Sequence, residues 1–180
     1  MSNNVSGIAV SGKSGCGNTT TSALLAHKLG FTLVNYTFRT LAVDEGLEFE
    51  QLRVLAEQDE KWDKLVDRRQ VELARAHPSV LASRLALWMW QEAYLKVYLD
   101  APLEVRAQRI WKREGGRLEA VREATRLRDE ADHARYLKLY GIDNDDWAFA
   151  GLVIDVSTLT PDEIVAKILA HLEVTSGYLP

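Results

Sequence analysis

The sequence has one cysteine, Cys16, in 180 residues, so no internal disulfide can form and the chain is expected in a reducing cytoplasm. It has no apolar run long enough to cross a membrane. Met1 to Asn4 is polar, and the apolar run after it is too short for a secretory leader, so neither membrane nor export is expected. It also lacks an excess of positive charge. With 22 Lys and Arg against 26 Asp and Glu, the net charge of −4 argues against a general binder of nucleic-acid polymers. Internal repeats, low-complexity tracts and interdomain linkers are missing as well. A content of 47% hydrophobic and 27% charged residues over this length fits one soluble domain with a real core, expected as a monomer with small-molecule partners.

What the chain does have is a glycine-rich loop, Gly12-Lys13-Ser14-Gly15-Cys16-Gly17-Asn18-Thr19-Thr20, between a short apolar run and a helical pattern at Ala23 to Leu29. Strand, glycine turn and helix form the context of a phosphate-binding loop, in which backbone N–H groups and a helix N-terminus converge on an anion. The spacing fits G-x-x-x-x-G-K-[ST] except at one place, where Asn18 stands for the lysine. That lysine normally bridges the β- and γ-phosphates of the donor. Asn18 donates a hydrogen bond but carries no charge. The only lysine of the loop is Lys13, whose stem is long enough to fold back over the same phosphates, so the displaced charge is expected there. Cys16 reads as a small packing residue rather than a reactive thiol.

Along the chain, strands are expected at Val5 to Ser11, Phe31 to Asn35, Ser79 to Ser83, Tyr94 to Leu99 and Leu152 to Val156. Helices are expected at Tyr36 to Gly46, Glu48 to Glu57, Lys61 to His77 (apolar face Trp62, Leu65, Val66, Leu73), Ala101 to Glu114, Leu118 to Leu139 and Ile164 to Leu172, the last opened by the capping box Thr160-Pro-Asp-Glu163. Trp88 and Trp90 read as packing, and Val174 to Pro180 as a tail. Strands separated mostly by helices give an α/β fold: a three-layer P-loop architecture with a five-stranded parallel sheet flanked by helices, plus a short arginine-rich helical lid. The expected organisation is a single domain over 1–180. Its core comprises 5–35, 78–114 and 140–173, with an acceptor-binding helical region at about 36–77 and the lid at about 109–135.

The stretch from Leu103 to Lys138 carries ten basic and seven acidic residues, an excess of three positive charges in a chain of net −4. Arg106, Arg109 and Arg113 fall at intervals of three and four, one helical face ahead of Gly115-Gly116. Arg128, Asp132 and Arg135 do the same on the next helix. Two arginine faces at a glycine hinge suit a lid over phosphates, because the guanidinium fork binds phosphate bidentately and keeps its charge. Lys112, Arg122 and Lys138 read as solvated. Arg39 and Arg84 each follow a strand, at the carboxyl edge where ligands bind in open α/β sheets. Arg68 could lie at either surface or site.

These residues together resemble the cytidylate kinases of the P-loop nucleoside monophosphate kinases, nearest their short, archaeal-type branch, over nearly all of Val5 to Glu173. The carrying stretches are Ser11 to Thr20, Phe38-Arg39, Asp67-Arg-Arg-Gln70, Arg84-Leu85, Ala101 to Glu114, Arg128 to Tyr136 and Tyr140-Gly-Ile-Asp143. The resemblance implies transfer of the γ-phosphoryl of ATP to CMP or dCMP with Mg²⁺. Thr19 is then implied as the metal ligand, and Arg39 and Arg84 as holding the acceptor phosphate. Arg128, Asp132 and Arg135 match R-x-x-x-D-x-x-R contacts to the acceptor, and Arg109 and Arg113 are implied as lid arginines that neutralise the transferring group; with Arg128, and with Lys13 as expected from the loop itself, they make up the expected catalytic set. Two departures stand out: Asn18 in the loop, and Ser83 and Leu85 around Arg84, where the longer bacterial branch has glycine and an acid. Two alternatives remain open from the residues themselves. One is a nucleotide-binding regulatory protein with a decayed kinase site; the other is a P-loop kinase of another small acceptor.

Overall fold

The computed structural model describes residues 7–176. Five strands, β1 (Gly7–Ser11), β2 (Thr32–Val34), β3 (Ser79–Ala82), β4 (Leu95–Asp100) and β5 (Leu152–Asp155), form one sheet in the order β2-β3-β1-β4-β5. Every neighbouring pair is parallel, with Ile8 beside both Val80 and Leu95 in register. The middle strands are short and almost wholly apolar because helices cover both of their faces. Side-chain alternation then divides their residues between two cores. Ile8, Val10, Val80, Val97 and Leu99 pack with α1 (Asn18–Leu29) and α8 (Pro161–Ser176) through Leu25, Ile168 and Leu172. Ala9, Leu81 and Tyr98 pack on the opposite side against α4 (Lys61–Ala76) and α5 (Ala86–Met89) through Val71, Ala74 and Leu87.

A third, smaller core lies beyond β2, where Tyr36, Leu41, Ala42, Leu52 and Val66 join α2 (Phe38–Asp44) and α3 (Phe49–Gln58) to α4. On the other flank α6 (Leu103–Glu114) and α7 (Leu118–Tyr140) form an antiparallel hairpin, turned by Gly115 and Gly116. The capping box of α8 forms as expected: Glu163 N–H donates to Thr160 Oγ1 at 3.3 Å, and Thr160 N–H donates to Glu163 Oε2 at 2.7 Å.

Several boundaries differ from the sequence expectation. Helix α1 starts at Asn18 rather than Ala23, because the loop feeds it directly. Helix α8 runs through Ser176, so 174–176 is helix rather than tail, while 177–180, like Val5 and Ser6, falls outside the described residues. Leu73 is not on the buried face of α4 but 47% exposed. That face is formed by Asp63, Val66, Gln70, Val71 and Ala74, two of them polar, because part of it walls a cavity rather than a core. Trp88 and Trp90 do pack: Trp90 is buried, and Trp88 meets Tyr98 edge-on at 6.3 Å.

Trp90 closes the second core directly against the first residue of β1. A Cβ on Gly7 would lie 2.3 Å from its ring. Gly7→Ala is therefore expected to cost about 1–3 kcal/mol through overpacking. It should appear as a lower urea midpoint with an unchanged m-value.

Candidate active site

The loop between β1 and α1 is folded tightly onto its neighbours. Gly12 passes so close to β4 that a Cβ there would lie 2.5 Å from the Leu99 carbonyl oxygen. Gly15 has φ +90° and rests on the backbone of Arg106, where a Cβ would approach the carbonyl oxygen to 2.7 Å. Only glycine meets both demands at that position. The Cys16 N–H closes a turn onto the Lys13 carbonyl at 3.1 Å, and burial pushes the Cys16 thiol up to about 11. The thiol therefore stays protonated near neutrality and serves as packing, as its sequence position suggests.

Asn18 turns back into the loop. Its Nδ2 donates to the Gly12 carbonyl at 3.2 Å, and its buried Oδ1 has no partner among the described residues. The one donor group at the usual lysine position is thus engaged within the loop. Lys13 points elsewhere, with its Nζ 2.5 Å from Asp145 Oδ1 in the segment after α7. Thr19 is exposed in the first turn of α1 and lines the cleft in front of the loop.

That cleft encloses about 490 Å³ and is walled by the loop, by Thr37 and Gln70, and by Arg84, Arg109, Arg113 and Arg128. Arg84 donates to Asp132. Arg109 Nη2 donates to the Val156 carbonyl at 2.5 Å, and Arg113 lies 2.5 Å from Glu114. Arg128 has no ion pair or hydrogen bond among the described residues. A second cavity of about 310 Å³ opens beside the first and shares Tyr36, Thr37, Gln70, Ser83 and Arg84 with it. Beyond these it is lined by Phe38, Asp63, Asp67, Leu85, Asp132, Arg135 and Tyr136. Burial raises the Asp132 carboxyl above its ordinary value, opposed by the Arg84 charge, and pushes the Tyr136 phenol up to about 12.

The expected site residues therefore gather in two adjoining cavities, except for Arg39 and the buried Cys16. Arg39 lines neither cavity; its guanidinium lies over the Phe49 ring at 4.1 Å. Arg135 is bound to the buried Asp63. Arg68 is exposed and lies 3.7 Å from Glu72. Arg122 pairs with Glu104 and Lys138 with Glu60 on the surface, in keeping with solvated faces.

Arg106 departs furthest from its expected place. It is only 4% exposed and faces inward, away from the cleft-lining Arg109 and Arg113. It donates to the Ala101 carbonyl at 3.0 Å, the Ser14 carbonyl at 3.1 Å and Asp129 at 2.7 Å. This cation holds the loop, the end of β4 and α7 together. Helical spacing could not separate it from its neighbours; its partners lie far away in sequence. Asp63, Asp67 and Gln70 were also missed as cavity residues. The signal was present, since polar residues at 63, 67 and 70 share the stripe that Val66, Val71 and Ala74 bury. His133, Asp143 and Asp145 place ligand atoms within 4.8 Å of one another, but Lys13 already engages Asp145 there.

The chain matches the cytidylate kinase-like family over residues 7–158. It is 47% identical to a "Cytidylate kinase 2" of Borreliella burgdorferi over 170 residues, covering 92% of this chain and 94% of that protein. It is 39% identical to a cytidylate kinase of Archaeoglobus fulgidus, covering 93% and 94% of the two chains. Among solved structures, shikimate kinase from Acinetobacter baumannii, in complex with shikimate, aligns with a TM-score of 0.63 at 19% identity over 98% of this chain and 97% of that one. At that identity the likeness concerns the fold alone, and it is the P-loop kinase fold.

The Arg106 clamp makes a definite prediction. Arg106→Met leaves Asp129 nearly buried without its cation, and is expected to destabilise the protein by about 3–5 kcal/mol. The double change Arg106→Met/Asp129→Leu should recover most of the urea midpoint. It should still bind ATP more weakly than wild type in a calorimetric titration, because the Ser14 carbonyl has lost its donor.

Proposed function

The chain belongs to the cytidylate kinase-like family, and from that premise we propose that it transfers the γ-phosphoryl of ATP to CMP or dCMP, giving ADP and CDP or dCDP. The observation that carries this reading is the junction of the two cavities. The loop cavity and the neighbouring cavity share Arg84, Gln70 and Ser83, so a donor phosphate chain and an acceptor phosphate meet where the arginines converge.

In this reading Gly12 to Thr20 cradle the donor phosphates with backbone N–H groups and the α1 N-terminus. The exposed Thr19 hydroxyl, free in the cleft, fits a Mg²⁺ ion that takes most of its ligands from phosphate and water. A metal held there would supply charge neutralisation to the donor phosphates. Arg84, Arg128, Asp132 and Arg135 hold the acceptor, while Arg109 and Arg113 approach the transferring group. Arg39 reaches the acceptor only after leaving Phe49. Positioning and charge neutralisation are nearly the whole of the chemistry such an enzyme supplies.

Lys13 takes the role of the absent loop lysine. Its partner Asp145 has a half-exposed side chain, and an ion pair this open is worth about 1 kcal/mol or less. A triphosphate presents several charges at once, so it outcompetes one exposed carboxylate for the ammonium. The same pair favours a second reading, a protein that binds nucleotide without transfer, in which Asp145 keeps Lys13 from the phosphates.

Two measurements separate these. Coupled ADP release over CMP, dCMP, UMP, AMP and GMP should show turnover with CMP and dCMP; ATP binding without turnover on any of them sinks the kinase reading. Lys13→Ala should lower kcat by about 10²–10³-fold, the scale of losing one preorganised charge-stabilising donor. Turnover within a few-fold of wild type would show that Lys13 is not the replacement.

A further inference from the structure

The cavity beside the loop contains a polar group that the phosphate chemistry does not use. Asp67 and Gln70 lie one turn apart on α4, and Tyr140 ends α7 opposite them. Tyr140 donates its hydroxyl to Asp67 Oδ2 at 2.6 Å, and Gln70 Nε2 donates to Asp67 Oδ1 at 3.1 Å. The Tyr140 hydroxyl and one N–H of the Gln70 amide are therefore committed to one carboxylate, which they hold in place. Asp67 makes no ion pair among the described residues, whereas the cavity's other acids do: Asp63 with Arg135 and Asp132 with Arg84. Gln70 is 5% exposed, and its Oε1 has no donor among the described residues. What this trio presents to a ligand is mostly acceptors: the remaining lone pairs of Asp67 and the free Gln70 Oε1, against the one further N–H of the Gln70 amide.

A buried acceptor left without a donor is costly, so such a wall is complementary to a ligand group carrying N–H donors and no lone pair of its own. The surrounding cavity sets the kind of ligand. Its volume of about 310 Å³ suits a nucleoside, and Phe38, Leu85 and Tyr136 supply apolar and flat surfaces for a base. Gln70 also borders the loop cavity, so the acceptor phosphate lies toward Arg84 and the loop while the base lies toward Asp67. Resting on the monophosphate-kinase reading above, we propose that Asp67 and Gln70 read the exocyclic amino group of the acceptor base, and so select cytosine over uracil. The cytosine N4 amino group brings two N–H donors to these acceptors. Uracil brings a carbonyl oxygen to the same place, where acceptor faces acceptor and both lose their water. Tyr140 acts as a positioning residue, orienting the Asp67 carboxylate without touching the base.

The test uses the full chain with CMP and UMP, reading kcat/KM by coupled ADP release at saturating ATP and affinity by calorimetry. Wild type should prefer CMP by about 10²-fold or more, since a site built to hydrogen-bond one group strongly rejects the analogue lacking it. Asp67→Asn gives the wall an amide donor and should shrink the CMP:UMP ratio by about tenfold or more through KM, with KM for ATP unchanged. Gln70→Leu, which removes the free acceptor without adding a charge, should weaken CMP more than UMP and serves if the first variant does not fold. A ratio within about twofold of wild type in every folded variant overturns the assignment while leaving the kinase reading intact. If wild type turns over neither nucleotide, the kinase reading falls. Calorimetry then decides the base reader alone: a CMP preference lost in the variants upholds it, and equal or absent binding overturns it.

Discussion

The guanidinium of Arg106 sits where the donor loop, the end of β4 and α7 meet, and it offers a hydrogen bond to each: Ser14, Ala101 and Asp129. A charge this deeply buried is tolerated only when its donors are matched by acceptors and its charge by an opposite one. Each of the three contacts is thus required by the other two. The consequence for function is geometric. Helix α6 carries Arg109 and Arg113, and α7 carries Arg128, Asp132 and Arg135, so one buried cation sets the loop in relation to five residues of the cleft and acceptor cavity. Gly15 reinforces the arrangement by lying flush against the Arg106 backbone, where no side chain could fit.

The hairpin that looked in sequence like two arginine faces swinging on a glycine hinge is therefore anchored at one point and open at another. Near its base, Arg106–Asp129 and Arg122–Glu104 tie the two helices together. Toward Gly115 and Gly116 the cleft-facing Arg113 meets only its exposed neighbour Glu114, an ion pair worth little in water. The cleft cations without a buried partner are thus Arg113 toward the turn and Arg128 beside the anchor, while Arg106 stays fixed.

Much of this was legible in the sequence. All five strands and the parallel sheet followed from apolar segments alternating with helices, and the loop and Arg84 fell at the carboxyl edge that such sheets present. What was hidden depended on partners distant in the chain. Nothing local distinguishes Arg106 from Arg109, because burial is decided by Asp129 on another helix and Ser14 before it. Arg39 reads as a cleft residue until Phe49, ten positions on, takes its guanidinium. Leu73 reads as core because a hydrophobic pattern assumes the buried face is dry; here the face holds Asp63 and Gln70, and the leucine is displaced to the surface. The stripe of polar residues on α4 was the one visible sign that a helix expected to pack also walls a cavity.

The loop itself shows how a missing charge reorganises its surroundings. With a lysine at position 18, the cation would be carried at the start of α1, where the positive end of the helix dipole already lies. Asn18 instead braces the loop internally through the Gly12 carbonyl, and the only loop cation is Lys13, directly after the first glycine. There Lys13 is within reach of Asp145, so the segment after α7 gains a contact with the loop that a lysine at position 18 does not require. Asp145 follows Asn144, which bonds His133 of α7, and Tyr140 of the same helix holds Asp67 in the acceptor cavity. The loop, through Lys13 and Asp145, and the second cavity, through Asp67 and Tyr140, thus both meet the end of α7 and the segment that follows it. In a kinase the two substrates must be aligned before transfer, and here Tyr140 at the end of α7 and Asp145 just after it touch the two cavities' walls side by side.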